Sequence, residues 1–170
     1  MLNIIGPLFL FGMPTQVFAD IRTTRPTTKV DDYFEILLYY PTLRVRLKAS
    51  YIVKEPIAAY QINGMNGSFV KPRGDVQEAQ LKLGKKPNLS NWGTEDKDNY
   101  GIIHYSKNGK VIREKIKSLQ GNYYDFYDAM YRSIINNEVE PVTATEGLNI
   151  IKIIEAAVES NATGKLINLV

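Results

Sequence analysis

The sequence predicts an α+β domain: a mostly antiparallel open β-sheet with helices packed on one face. Three observations point there. Alternating apolar and polar residues, rich in β-branched and aromatic types, fill much of the first two thirds of the chain. Hairpin-type turn signals at Pro41-Thr42, Gly64-Met65-Asn66-Gly67 and Asn108-Gly109 join these stretches, so neighbouring strands run antiparallel. Strong helical periodicity is then concentrated in the last third, and strands first with helices later give segregated layers.

The apolar start, through Phe11, reads as a short core helix ended by Gly12 and Pro14. Its alternative is a secretion signal, with Val17-Phe18-Ala19 before Asp20 resembling a small-residue cleavage site. Against a signal, the first ten residues carry no Lys or Arg and Gly6-Pro7 interrupts the apolar run. Residues 17–22, 33–40 and 43–53 form three long strands. Phe34, Ile36, Leu38 and Tyr40 share one face of the second, and Leu43, Val45, Leu47, Ala49, Tyr51 and Val53 one face of the third. Tyr33, Glu35, Leu37 and Tyr39 take the opposite face together with Arg44, Arg46 and Lys48. If Pro41-Thr42 is a two-residue turn, Tyr40 faces Leu43 and Glu35 faces Lys48, an opposite-charge cross-strand pair.

The sheet is expected to continue by hairpins. Residues 59–63 run into the Gly64 to Gly67 turn and 68–70 return. Residues 75–83 have the composition of a short helix, with Asp75 as N-cap and Gly84 as stop. The stretch 85–99, with a lone Trp92, is an irregular loop of functional length. Strands at 102–105 and 111–116 flank Asn108-Gly109. Tyr123, Phe126, Tyr127, Met130 and Ile134 make an i, i+3, i+4, i+7 stripe, so a helix over 122–136 should pack one face on the sheet. Thr143-Ala144-Thr145-Glu146 has capping-box spacing and opens a helix to about Ser160, and 166–169 close the chain as a strand.

Composition narrows the function. At 170 residues and 19.3 kDa the chain has room for one domain over 1–170. The net charge of +3 is too small and dispersed for a nucleic-acid footprint. With no Cys and one His, disulfides, thiolate nucleophiles and multi-His metal cages are excluded. The mean hydropathy of −0.22 and the absence of a long apolar run predict no membrane span. A cytoplasmic location is expected, or export if residues 1–19 act as a signal peptide.

The order Leu10-Phe11-Gly12-Met13-Pro14, Val17-Phe18-Ala19-Asp20-Ile21-Arg22, Lys29-Val30-Asp31-Asp32-Tyr33, Leu43-Arg44-Val45, Gly64 to Phe69 and Thr143 to Ala157 resembles the C-terminal domain of the Gfo/Idh/MocA oxidoreductases. Gly67-Ser68-Phe69-Val70-Lys71, followed by Asp75, Gln77-Glu78, Leu81, Gly84, Pro87 and Trp92-Gly93, resembles the subgroup close to scyllo-inositol dehydrogenase. The resemblance implies a substrate-side and oligomerisation domain whose full-length relatives bind NAD or NADP in an N-terminal Rossmann domain carrying a catalytic Lys. It also implies a homo-oligomer formed through the open sheet face. No cofactor site is expected in this chain, because no G-x-G-x-x-G follows a strand and Gly64 to Gly67 lacks a following helix N-terminus. Aligned on Phe11-Gly12-Met13-Pro14, Leu2 and Ile5 stand where the family usually carries a His and an Asp for proton exchange. The chain thus reads as starting inside the family's second domain, as from a truncated or split gene, and no catalytic residue is assigned to it.

Individual candidates are weighed against plainer readings. His104, beside a turn on a strand, is more often a surface residue than a base. Lys71 and Arg73 are candidates for an anionic or polyol substrate, and Trp92 for sugar stacking, although loop charges are commonly only solvated and aromatic burial explains most rings. Tyr33, Glu35, Leu37, Tyr39, Arg44, Arg46 and Lys48 form the candidate subunit interface, since Tyr and Arg are favoured there and Arg44 can lie over Tyr39. Two functions follow. The chain is the substrate-side and oligomerisation half of an oxidoreductase for sugars or inositols, active only with a Rossmann half from a missing segment or a separate chain. Alternatively, it is a non-catalytic binding or assembly module derived from such an enzyme.

Overall fold

The structure, a computed structural model, describes residues 4–72, 74–87 and 90–169. Leu2 and Arg73, singled out above, lie outside the described residues. The α+β class is borne out: every strand pairing is antiparallel. The strands divide, however, between two four-stranded sheets where hairpins suggested one. The chain likewise divides into two compact units, one of residues up to Lys54 with those from Val142 onward, the other Glu55–Pro141.

In the first unit, β1 (Gln16–Arg22), β2 (Tyr33–Tyr39), β3 (Arg44–Ser50) and β8 (Ile167–Asn168) lie in the order β3-β2-β1-β8. The expected register holds, with Glu35 opposite Lys48 and the Tyr40 N–H donating to the Leu43 carbonyl at 3.1 Å. β3 ends at Ser50, short of Val53. Beyond it the Tyr51 N–H bonds to the Asp32 carbonyl and the Arg25 guanidinium sits 3.6 Å from the Tyr51 ring centre. Arg25 Nε also donates to Asp32 Oδ2 at 2.7 Å, and these bonds, with those from Thr24, hold the Asp32 carboxyl well below the usual carboxylate range.

α4 (Ala144–Thr163) covers the inner face of this sheet. Its Ile153, Ala156 and Ala157 pack on Val17, Ala19, Ile36 and Leu38, all at most 5% exposed, and the two alanines permit close approach. β8 pairs with β1 only at Gln16 and Val17, so later β1 amides need other partners. α4 supplies them: the Ala19 N–H donates to Ser160 Oγ at 3.0 Å and the Ile21 N–H to Asn161 Oδ1 at 2.8 Å. Ser160, fully buried, spends its own proton on the Lys165 carbonyl. The helix opens with the expected capping box, in which the Glu146 N–H donates to Thr143 Oγ1 and the Thr143 N–H to Glu146 Oε2, holding that carboxyl below its usual range. Thr143→Ala is expected to cost about 1 kcal/mol, measured as a lower urea midpoint with unchanged slope.

α1 (Ile5–Phe11) forms, but is not the core helix that its apolarity suggested. Ile4, just before it, is fully buried, whereas none of its own residues is, and Phe9 is 87% exposed. Seven residues make only two turns, too few to bury both Leu8 and the side that carries Phe9. The sequence resembling a cleavage site lies inside β1, where Val17 and Ala19 belong to the core.

The second unit is a meander in the order β4 (Tyr60–Gly64), β5 (Gly67–Lys71), β6 (Gly101–Lys107) and β7 (Lys110–Ile116). Asn108-Gly109 forms the expected two-residue turn. α2 (Gln77–Lys82) is shorter than expected, and Asp75 lies before it, accepting the Gln77 N–H at 3.0 Å. α3 (Tyr124–Asn136) forms, but it buries none of its residues. The expectation that its stripe packs on the sheet is therefore corrected, since Tyr123, Phe126, Tyr127 and Ile134 are all exposed. Periodicity identifies the face that favours burial, not the surface that buries it.

Candidate functional site

Two regions gather the residues predicted to matter. In the first unit, pairing places Tyr33, Glu35, Leu37 and Tyr39 of β2 beside Arg44, Arg46 and Lys48 of β3, on the face opposite Val17, Ala19, Ile36 and Leu38. Each row extends onto β1: Gln16–Tyr39–Arg44, Phe18–Leu37–Arg46 and Asp20–Glu35–Lys48. Glu35 is the electrostatic centre. Arg46 Nε lies 3.1 Å and Lys48 Nζ 3.4 Å from its carboxylate, and the Tyr33 hydroxyl donates to Oε2 at 3.2 Å. Arg44 donates to the Tyr40 and Leu43 carbonyls and holds its guanidinium 4.4 Å from the Tyr39 ring centre. This aromatic and charged face is partly ordered by itself and remains open to solvent, with Phe18 39% exposed near its middle. Phe18 was not among the predicted interface residues, although the alternation that predicted β1 places it on this side.

In the second unit, Lys71 and Trp92 both take internal partners. Lys71 Nζ, at the end of β5, donates to Glu95 Oε2 at 2.7 Å and to the Asn99 carbonyl at 2.8 Å. Ser118 Oγ donates to the same Glu95 oxygen at 2.5 Å. The cation thus ties the loop before β6 to β5. Trp92 is 4% exposed, and its Nε1–H donates to Gln77 Oε1 at 2.8 Å. Gln77 Oε1 also accepts the Tyr123 N–H at 2.8 Å, the Gln120 amide donates to the Trp92 carbonyl at 2.6 Å, and the Tyr123 hydroxyl bonds Asp75. Three segments, around 75–77, 92–93 and 120–123, are knotted through one buried carboxamide. Gln77, Glu95, Ser118 and Gln120 were not predicted. Their partners are 15 to 46 residues distant, and no local pattern marks them.

His104 is exposed on β6, paired in register with Ser68 and Arg113. Ile5, in the first turn of α1, is 62% exposed and has no group to exchange a proton. The described residues do not fit a dinucleotide, which needs a strand, a glycine turn and a helix N-terminus in succession. Here both sheets are wholly antiparallel, and Gly64 to Gly67 joins β4 to β5. Among the described residues no helix is long and apolar enough to cross a membrane.

Residues 7–169 match the family described as "Oxidoreductase family, C-terminal alpha/beta domain", the Gfo/Idh/MocA oxidoreductases. The chain is 38% identical over 162 residues to the scyllo-inositol 2-dehydrogenase (NADP(+)) IolW of Bacillus subtilis, covering 95% of this chain and 45% of that one. Among solved structures, the oxidoreductase yvaA of Bacillus subtilis superposes with a TM-score of 0.92 at 37% identity, covering 96% of this chain and 47% of that one. An oxidoreductase of Bacteroides fragilis superposes with a TM-score of 0.86 at 40% identity, covering 95% and 49%. The chain spans about half the length of the curated relatives it matches. Its strands, turns and closing capped helix are those of one known domain, and the chain belongs to the Gfo/Idh/MocA oxidoreductase family as its C-terminal alpha/beta domain.

Proposed function

We propose that this chain is the substrate-side and oligomerisation half of an NAD(P)-dependent oxidoreductase of sugars or inositols, with the dinucleotide held by a Rossmann half outside this chain. The observation that carries the reading is the outer face of the β1–β3 sheet. Leu37, Phe18 and Tyr39 lie among Arg44, Arg46, Lys48 and Glu35, with α4 on the opposite side. A sheet face mixing aromatic, aliphatic and guanidinium groups has the composition of an interface, and two identical faces paired about a twofold axis close on themselves. On the substrate side the reading rests on the inositol chemistry named for the Bacillus subtilis relative, since Lys71 and Trp92 are taken up by internal partners. By this reading the chain alone performs no hydride transfer, having no residues fitted to the dinucleotide and an apolar Ile5 at the proton-exchange position.

Ile5 also favours a second reading, an assembly module that kept the sheet and lost the chemistry. A chimera separates the two. With the N-terminal part of the Bacillus subtilis relative joined ahead of residue 5, the protein is expected to bind NADPH and to reduce NADP(+) with an inositol or sugar, and restoring Asp by Ile5→Asp is expected to raise kcat. A chimera that binds NADPH yet turns over no inositol or sugar, with or without Ile5→Asp, would overturn the enzyme reading in favour of the assembly module.

A further inference from the structure

We propose that Asn108 is a modification site: in the folded chain it deamidates through a cyclic imide, ahead of the other asparagines that precede a glycine. The chain carries three such pairs, Asn63-Gly64, Asn66-Gly67 and Asn108-Gly109. In each, the glycine nitrogen can attack the asparagine Cγ because no glycine Cβ stands in the way. A C–N bond forms, the side-chain nitrogen leaves as ammonia, and water then opens the imide at either of its carbonyls. Opening at one gives aspartate. Opening at the other gives isoaspartate, whose main chain runs through the former side chain.

Exposure does not separate the three asparagines, since all of them lie on the surface. The backbone does. Attack requires the glycine nitrogen to turn toward Cγ, so its N–H must first leave whatever it bonds. Gly64 and Gly67 close the β4–β5 hairpin, paired with each other across the Met65-Asn66 turn. The pair that closes a two-residue turn exchanges both of its N–H···O bonds, so the ladder holds each of these nitrogens. Gly67 is also paired with Tyr105 of β6, and an added Cβ there would stand 2.5 Å from the Tyr105 Cβ. The Asn66 carbonyl in turn accepts the Ser106 N–H at 3.1 Å.

Gly109 differs on each count. It lies in the turn itself, outside the ladder that Lys107 and Lys110 close, and among the described residues its N–H has no hydrogen-bond partner. No atom comes within 4 Å of the position its Cβ would take, so the peptide plane can rotate without displacing a neighbour. Asn108 itself holds φ +51°, a left-handed conformation that strains a residue with a side chain, and leaving it relieves that strain.

The two products act differently on the hairpin. Aspartate tolerates a left-handed turn position as asparagine does, so it keeps the hairpin and adds a charge. Isoaspartate lengthens the main chain by a carbon and breaks the geometry of a two-residue turn. β7 ends the order of its sheet, paired with β6, and this turn is its tether. The reaction needs only water, so it is independent of the oxidoreductase reading.

The test is to hold the folded chain in mildly alkaline buffer and follow each asparagine by peptide mass spectrometry, with enzymatic methylation of the free α-carboxyl marking isoaspartate. Asn108 is expected to convert about five-fold or more faster than Asn63 or Asn66, the factor set by one ladder hydrogen bond. In urea, where no ladder remains, the three rates are expected to converge. The isoaspartate form, separated by ion exchange, is expected to exchange the amide hydrogens of β7 faster, whereas Asn108→Asp exchanges them as the unmodified chain does. Asn63 or Asn66 converting as fast as Asn108 in the folded chain would overturn the proposal. So would an Asn108 that stays intact over the time in which the unfolded chain converts, or rates that remain as unequal in urea.

Discussion

Replacing Leu37 and Tyr39 together by Glu is expected to convert the proposed self-associated chain to monomers. Leu37 sits between Phe18 and Arg46 in the middle row of the outer face, and Tyr39 lies beneath the Arg44 guanidinium. Two carboxylates there meet Glu35 on the same strand and, across a twofold axis, their own copies, so charge is buried without a partner. Truncated or mispaired buried charges weaken association by about 2–5 kcal/mol, so the dissociation constant should rise about thirty-fold or more. The fold should survive, because both positions point away from Val17, Ala19, Ile36 and Leu38, which make the core with α4. Sedimentation at tens of micromolar, with dichroism to check folding, tests this. Sedimentation of the unmodified chain as a monomer, or an unchanged oligomer in the double variant, would refute the interface.

The largest effect on stability is expected at Gly93. Its φ of +71° disfavours any side chain, and an added Cβ would stand 1.8 Å from the Gly121 carbonyl oxygen, with backbone atoms that have nowhere to retreat. The Gly121 N–H donates to the Gly93 carbonyl at 3.3 Å, so the two segments cross in contact exactly where Trp92 and Gln120 are joined. Gly93→Ala should therefore cost about 3 kcal/mol or more, the strain of a left-handed residue together with a backbone displacement. The readout is Trp92: its near-ultraviolet dichroism should fade and its emission move to longer wavelength as the indole loses Gln77. Gly84→Ala is the control, having φ +72° with no atom near its Cβ, and should cost only about 1 kcal/mol. Equal costs at the two sites, measured in urea, would show that the crossing is not rigid.

Much of this domain was readable in the sequence because its signals are local. The alternation of residues 33–40 and 43–53 with Pro41-Thr42 between them gave the pairing of Glu35 with Lys48, since a two-residue turn leaves one register that keeps Ile36 and Leu38 on the buried face. Thr143 with Glu146 marked the start of α4, and Asn108-Gly109 the β6–β7 turn, for the same reason. The seven residues of the outer face share it because alternation and register together place them there.

What the sequence by itself determined was therefore which face each element presents, and from the order of its motifs, the family. The tertiary structure alone decided what meets those faces. α3 carries a clear apolar stripe yet buries none of its residues, and the strands fall into two sheets although each hairpin signal would also suit one. Lys71, read as a loop charge for substrate, and Trp92, a candidate for sugar stacking, are engaged by Glu95, Asn99, Gln77 and Gln120. The physical reason is range: periodicity and capping act within a turn or a strand pair, whereas a buried carboxamide or carboxylate selects partners tens of residues away, and only chain closure brings those groups within hydrogen-bond distance.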